Sequence, residues 1–249
     1  MRGFVRAVAI GSFLLQGCAL LPVEREPVSH PWRFSAVRGR PGVVIGAPHG
    51  STDELTDRIA AELARRTGFG LVVATGHAGI GEGGRRVNVN RPTESALDGP
   101  FAEEEYTEAA RRAYEAYEGR VREVSDGPLK LYVEIHGNSR RESAGRIEVA
   151  TVGVSRTDAW RLKTLFEMIR DSHLRGRLEA FRLDVWVEPL DPIYWAASAA
   201  KRIGILRIAE RAVHIELPRA ARVEGREVYT EILAEFLRES SRLLLAKGK

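Results

Sequence analysis

Short apolar runs alternate with longer amphipathic stretches along most of this chain. Val43–Ala47 is an unbroken apolar run ended by Pro48, the signature of a buried strand. His49 and Gly50 then make a turn, and Leu55, Ile59 and Leu63 recur at helical spacing. A helix capped by Ser51 or Thr52 is expected there, with Glu54 in its first turn. Gly70–Gly76 reads as a second strand, and Glu103–Val124 as a helix with Tyr106, Ala110, Ala113, Tyr114, Tyr117 and Val121 on one face. Lys130–His136 alternates, so that Leu131, Val133 and Ile135 point one way and Tyr132, Glu134 and His136 the other. Arg146–Val152 is a strand. Ser155–Arg170 is a helix in which Ser155 and Asp158 resemble a capping box and Trp160, Leu165, Phe166 and Ile169 form the buried stripe. Phe181–Val187 is a further strand. Gly204–Ile208 and Ala212–Leu217 read as two more, paired or adjacent, before a closing helix over Val228–Lys247.

The polar interruptions carry chemistry because they fall at strand tips, which border the ligand crevice in open α/β sheets. His49 follows the first strand. His136 ends another, with Glu134 on the same face to orient its imidazole. Glu216 sits near the end of Ala212–Leu217, two residues after His214. Asn90-Arg91 precedes Pro92 and offers an amide beside a planar guanidinium fork suited to a carboxylate. A His and a carboxylate a few residues apart, as in His49 and Glu54, can face one metal ion. Ser51 and Glu54 equally fit a capping box, in which Glu54 reaches back to the cap's own N–H. His77 follows the second strand and is a spare ligand candidate. Gly79, Gly81 and Gly84 match the spacing of a dinucleotide fingerprint, but the extended, Pro-stopped segment Val87–Pro92 follows where a helix is required. That excludes a nucleotide site and leaves a loop near the crevice. The aromatics Tyr194 and Trp195, in the Pro189–Ala200 loop, can wall a pocket.

The length of 249 residues fits one main domain. Residues 1–22 read as a signal peptide, with Arg2 and Arg6 before a short apolar core. Leu15-Gln16-Gly17-Cys18 resembles a bacterial lipobox, and Cys18 is the only cysteine, which excludes an intrachain disulfide. An exported protein, lipid-anchored through Cys18 to a bacterial cell membrane on its periplasmic or extracellular face, is the expectation. Residues 23–41, with Pro27, Pro31 and Pro41, read as a linker, and 42–249 as the domain. Removing Arg2 and Arg6 from the 38 basic residues leaves 36 against 34 acidic ones. A balance that even argues against nucleic acid as a partner.

Taken together, Pro-His-Gly with Glu54, Asn90-Arg91, Glu134-Ile-His136 and His214-Ile-Glu216-Leu resemble, in order and spacing, the N-formylglutamate amidohydrolase family. More distantly they are similar to zinc carboxypeptidases and poly-γ-glutamate hydrolases. The resemblance implies a three-layer α/β/α sandwich with a mixed central sheet, phosphorylase/hydrolase-like. It implies a zinc ion (Zn2+) held by His49, Glu54 and His136, with Asp53 as the alternative carboxylate. It makes Asn90 and Arg91 the site for a substrate carboxylate and Glu216 the general base. Arg140 and Arg141 are candidates for an oxyanion arginine. The expected reaction is hydrolysis of an amide bond in a small acidic, carboxylate-bearing substrate. Cell-wall or γ-linked glutamyl peptides are the alternative substrates, and a lipid-anchored binding protein without catalysis is the reading from another class.

Overall fold

The computed structural model describes residues 33–50, 52–76, 85–95, 104–177 and 181–246. The expected signal segment with Cys18, the glycine-rich loop with His77, and Ser51 lie outside these residues. The chain enters on β1 (Arg33–Val37) and turns directly into β2 (Arg40–Ala47). Residues 33–41 of the expected linker therefore hold an edge strand and the start of its neighbour. Then follow α1 (Thr56–Thr67), β3 (Phe69–Thr75) and a small two-stranded sheet of β4 (Thr93–Ser95) and β5 (Glu104–Tyr106). The chain continues through α2 (Glu108–Ser125), β6 (Leu131–Gly137), β7 (Arg146–Val152), α3 (Arg156–Leu174) and β8 (Asp184–Val187). It closes with α4 (Ser198–Ile203), β9 (Arg211–Leu217) and α5 (Arg226–Leu245).

Seven strands form the main sheet in the order β1-β3-β2-β6-β9-β7-β8. The central four, β3, β2, β6 and β9, run parallel; β1 and β7 pair antiparallel with them, and β8 runs alongside β7. The sheet is therefore mixed. Its central strands are buried on both faces, as parallel strands covered by helices require. Val43, Ile45, Leu131, Val133, Ile135, Val213 and Ile215 pack against α1, α3 and α5 on one face. Val44, Val72, Tyr132 and Ala212 pack with α2 and α4 on the other. The architecture is the expected three-layer α/β/α sandwich.

Local departures from the sequence pattern have physical reasons. Gly204–Ile208 is not a strand: residues Ile205–Ile208 form a helical turn after α4, because Ile205 N bonds Asn90 O and ties the segment to the site loop. α2 begins at Glu108 rather than Glu103, capped by the Thr107 side chain, which accepts from Ala110 N at 3.1 Å. Tyr106 is accordingly exposed in β5, not on a helix face. In α3 the Ser155 cap forms, accepting from Asp158 N at 3.0 Å, but Trp160 is exposed and Ala159 and Leu162 fill the stripe beside Phe166 and Ile169. α1 starts at Thr56, after Leu55 in a left-handed conformation. The Leu55 side chain gives this helix no capping hydrogen bond, and Glu54 lies in the turn before it and not in its first turn.

Candidate metal centre and active-site cleft

β2, β6 and β9 run parallel, so their C-terminal ends open on one edge of the sheet. Register places Glu134 beside His214 and His136 beside Glu216 on the β6–β9 pair, and Gly46 beside Glu134 on the β2–β6 pair. Since alternate residues share a face, Glu134, His136, His214 and Glu216 form a polar square on the α2 side of the sheet. His49 arrives from the turn after β2. Its ring centroid lies 4.8 Å from that of His136, which is 4.3 Å from that of His214. All of these side chains are buried.

Asp53 completes the cluster. Its Oδ2 lies 3.4 Å from His136 Nδ1 and 3.5 Å from His49 Nδ1, and it accepts the backbone N–H of Gly137 at 3.1 Å. Glu54, the expected carboxylate ligand, points away: it is exposed and pairs with Arg219 at 2.8 Å. The correction has a simple cause. His49 to Leu55 is a turn, not a helix, and Asp53 N bonds back to His49 O, which carries the residue four positions on, not five, over the imidazole.

Two trios of side chains bring one ligand atom each within 4.8 Å of one another: His49, Asp53 and His136, and Glu134, His136 and His214. The second is already saturated. Glu134 receives His214 Nδ1 at 2.9 Å, Asn90 Nδ2 at 3.3 Å and the Tyr132 hydroxyl at 3.4 Å. The first trio borders the open cleft, whereas Glu134 does not. His136 turns Nε2 toward Glu134 Oε2, 3.1 Å away, and Nδ1 toward Asp53 on the cleft side. Two imidazoles and one carboxylate converging on a cleft are the donor set of a catalytic zinc site, which keeps a further position open. The residues present fit such an ion.

Charge in the cluster follows from burial and neighbours. Burial holds the His49 imidazole neutral, down to about 3. Burial pulls His136 the same way, but Glu134, Asp53 and Glu216 outweigh it and raise this imidazole to about 10. Burial alone would push Asp53 and Glu134 up; the imidazoles beside them reverse that and hold both carboxyls below their ordinary range.

Glu216 Oε1 lies 3.2 Å from His214 Nε2, while Glu216 Oε2 is buried with no hydrogen-bond partner among the described residues. One oxygen is thus held and the other is available. Beneath the square, Glu134 rests on Tyr132, whose hydroxyl meets that of Tyr117 at 2.9 Å. Gly46 makes room for this pair, since a Cβ there would fall 2.0 Å from the Tyr132 hydroxyl. Three loops are stapled together by Arg222, a buried residue that sequence reasoning passed over. It donates to Leu217 O at 3.1 Å, Glu54 O at 2.5 Å and Asn138 O at 3.1 Å. These carbonyls end or follow β9, β2 and β6. Gly137 is needed beside it, because a Cβ would come within 2.5 Å of the guanidinium.

The cleft measures about 270 Å³, and Arg86, Asn90, Arg91 and Trp195 line it together with the cluster. Arg86 was not singled out by the sequence, yet its Nη2 lies 3.3 Å from His49 Nδ1. Burial lowers its pKa from the ordinary arginine value. Arg140 and Arg141, the arginines expected near an oxyanion, are not on the cleft wall: Arg140 stacks 3.7 Å over the Tyr194 ring, and Arg141 lies in an exposed turn. Asn90 and Arg91 do reach the cleft, but neither is unengaged. Asn90 holds Glu134, and Arg91 donates through Nη1 to Asn90 Oδ1 at 2.9 Å and through Nε to Glu104 at 2.8 Å.

No protein-family model matches the chain, and no curated protein sequence matches it. Among solved structures it is similar to a bacteriophage poly-γ-glutamate hydrolase at 13% identity, covering 88% of this chain and 91% of that one, with a TM-score of 0.46. A gene product from Agrobacterium tumefaciens is similar at 15% identity, with 86% and 93% covered and a TM-score of 0.49. An N-acetylmuramoyl-L-alanine amidase from Clostridium difficile 630 is similar at 15% identity, with 82% and 97% covered and a TM-score of 0.39. Likenesses of this size say nothing of chemistry, so function rests on the side chains of the cleft.

Proposed function

We propose that the protein is a zinc-dependent hydrolase that cleaves an amide bond in an acidic substrate. The observation that carries this reading is the convergence of His49, Asp53 and His136 in one cleft with Glu216, whose buried Oε2 has no hydrogen-bond partner among the described residues. His49, Asp53 and His136 would hold the metal. Zinc there would supply Lewis acidity toward a carbonyl and lower the pKa of water to about 7. Glu216 Oε2 takes the proton of the attacking water and returns it to the leaving amine, while His214 holds Oε1 and so fixes the carboxylate's direction. Arg86, on the cleft wall beside His49, faces the carbonyl oxygen as negative charge develops on it.

Two substrate types follow from the acidic reading: an N-formyl amino acid such as N-formylglutamate, or a cell-wall or γ-linked glutamyl peptide. One observation favours the peptide. The side fork of Arg91, where the free carboxylate of a small substrate would be expected, already holds Glu104. A peptide substrate also suits a protein exported on a lipid anchor at Cys18.

The test is a screen of zinc-loaded protein against N-formyl amino acids and γ-glutamyl peptides, run beside Glu216→Gln. Hydrolysis that needs zinc, and is lost in Glu216→Gln while zinc stays bound, is the expected result. A Glu216→Gln protein that remains active would overturn the base assignment. A wild-type protein that takes up no zinc would overturn the hydrolase reading in favour of a binding protein.

A further inference from the structure

Glu104 lies in β5, which pairs with β4, and it stands behind Arg91, a residue of the cleft wall. Its carboxylate meets the side edge of Arg91, which donates from Nε at 3.0 and 2.8 Å to the two oxygens and also from Nη2. Thr93 Oγ1 donates to Glu104 Oε2 at 2.7 Å, and Asn88 Nδ2 to Oε1 at 3.4 Å. The arrangement is the fork-on-fork geometry in which a guanidinium binds a carboxylate ligand. Here the ligand belongs to the chain itself. The Nη1 side of Arg91 is held by Asn90, so neither edge of the guanidinium is unengaged.

We propose that Glu104 is a specificity-determining residue of the cleft. This inference rests on the reading of that cleft as a hydrolase site for acidic amides, and it refines which acids enter. By filling the Arg91 fork with an internal carboxylate, Glu104 cancels the charge that would attract a free carboxylate there. It also sets a like charge against any that approaches, which disfavours it. A neutral carbonyl meets no such charge penalty. The subsite beside Arg91 therefore selects a chain-internal amide over a terminal carboxylate, and the substrate class is an amide-linked peptide extended past this point.

The experiment measures binding, not turnover, so it stands apart from the test of catalysis and of zinc. Glutarate and its neutral counterpart glutaramide are titrated calorimetrically into the full-length protein, into Glu104→Gln, and into Glu104→Gln with Arg91→Gln. Glutarate is expected to bind Glu104→Gln about tenfold more tightly than wild type, the size of one charge-assisted hydrogen bond. Glutaramide is expected to bind both alike, and the gain is expected to vanish when Arg91 is also replaced. Thr93→Val, which removes one donor that holds Glu104, gives a smaller gain in the same direction and decides the matter if Glu104→Gln does not fold. Equal glutarate affinity in wild type and variants, or a gain that persists without Arg91, overturns the proposal. Absence of zinc or of hydrolysis would leave this comparison intact.

Discussion

Asp53 Oδ2 lies 3.4 Å from His136 Nδ1, a contact made only because parallel pairing of β2 and β6 sets the turn after one strand beside the tip of the other. If this carboxylate is the metal ligand, Asp53→Ala is expected to weaken zinc binding by at least about 100-fold, beyond what loss of a supporting residue costs. Glu54→Ala is expected to leave zinc affinity unchanged, since that side chain faces Arg219. Competition titration against a zinc chelator measures both. Equal losses in the two variants would show that the turn as a whole, and not Asp53, holds the ion.

His214 stands between two carboxylates, 2.9 Å from Glu134 and 3.2 Å from Glu216. In the proposed reaction it would position Glu216. His214→Ala is expected to lower kcat by about 10- to 100-fold with little change in KM, a part of what general-base catalysis contributes. His214→Gln, whose amide can still donate to Glu216, should recover part of the loss. Parallel changes in kcat and KM, with no recovery in the glutamine variant, would mark a purely structural role.

The two imidazoles of the metal trio make stability of the metal-free protein depend on pH in opposite ways. His49 is held at about 3 against an ordinary 6.5, so between those values the unfolded chain binds more protons and stability falls as pH drops. His136 is raised from 6.5 to about 10, so between those values the folded chain binds more protons and stability falls as pH rises. Thermal melts of chelator-treated protein from about pH 5 to 9 should therefore peak near the common unfolded value of roughly 6.5. In His136→Asn the alkaline decline should flatten while the acid decline stays. An unchanged alkaline limb in that variant would contradict the charged state of His136.

Arg222 is the staple of the site. Arg222→Met deprives the carbonyls of Glu54, Asn138 and Leu217 of their donor, at a cost of about 3 kcal/mol. That corresponds to a fall of roughly 6–12 °C in Tm for a domain of this size. Zinc affinity is expected to fall as well, because Glu54 O and Asn138 O hold the loops that carry Asp53 and follow His136. A change within about 0.5 kcal/mol, typical of a surface site, would show that the loops hold themselves.

The strands that carry the site were legible in the sequence because hydrophobic alternation has a fixed period. The phase of Lys130–His136 already put Glu134 with His136 on one face of its strand, and that of Ala212–Leu217 put His214 with Glu216; the register of β6 with β9 brings the two pairs together. Pro48 and Pro218 marked the strand ends, since proline cannot extend a central strand. β1 was not legible, because an edge strand with four of its five residues exposed carries no such period.

What the sequence determined by itself was therefore the local part: period-2 strands, period-3.6 helices, and the reactive residue types at their tips. What only the tertiary structure decided was which side chains meet. The choice of Asp53 over Glu54 turns on a single residue of rotation in the turn after β2. Arg86 and Arg222 reach the site from segments with no regular pattern of their own, and Glu104 from a short strand where the helical pattern of Glu103–Val124 was expected to begin. Each is placed by contacts between segments distant in sequence, and such contacts leave no local periodicity to read.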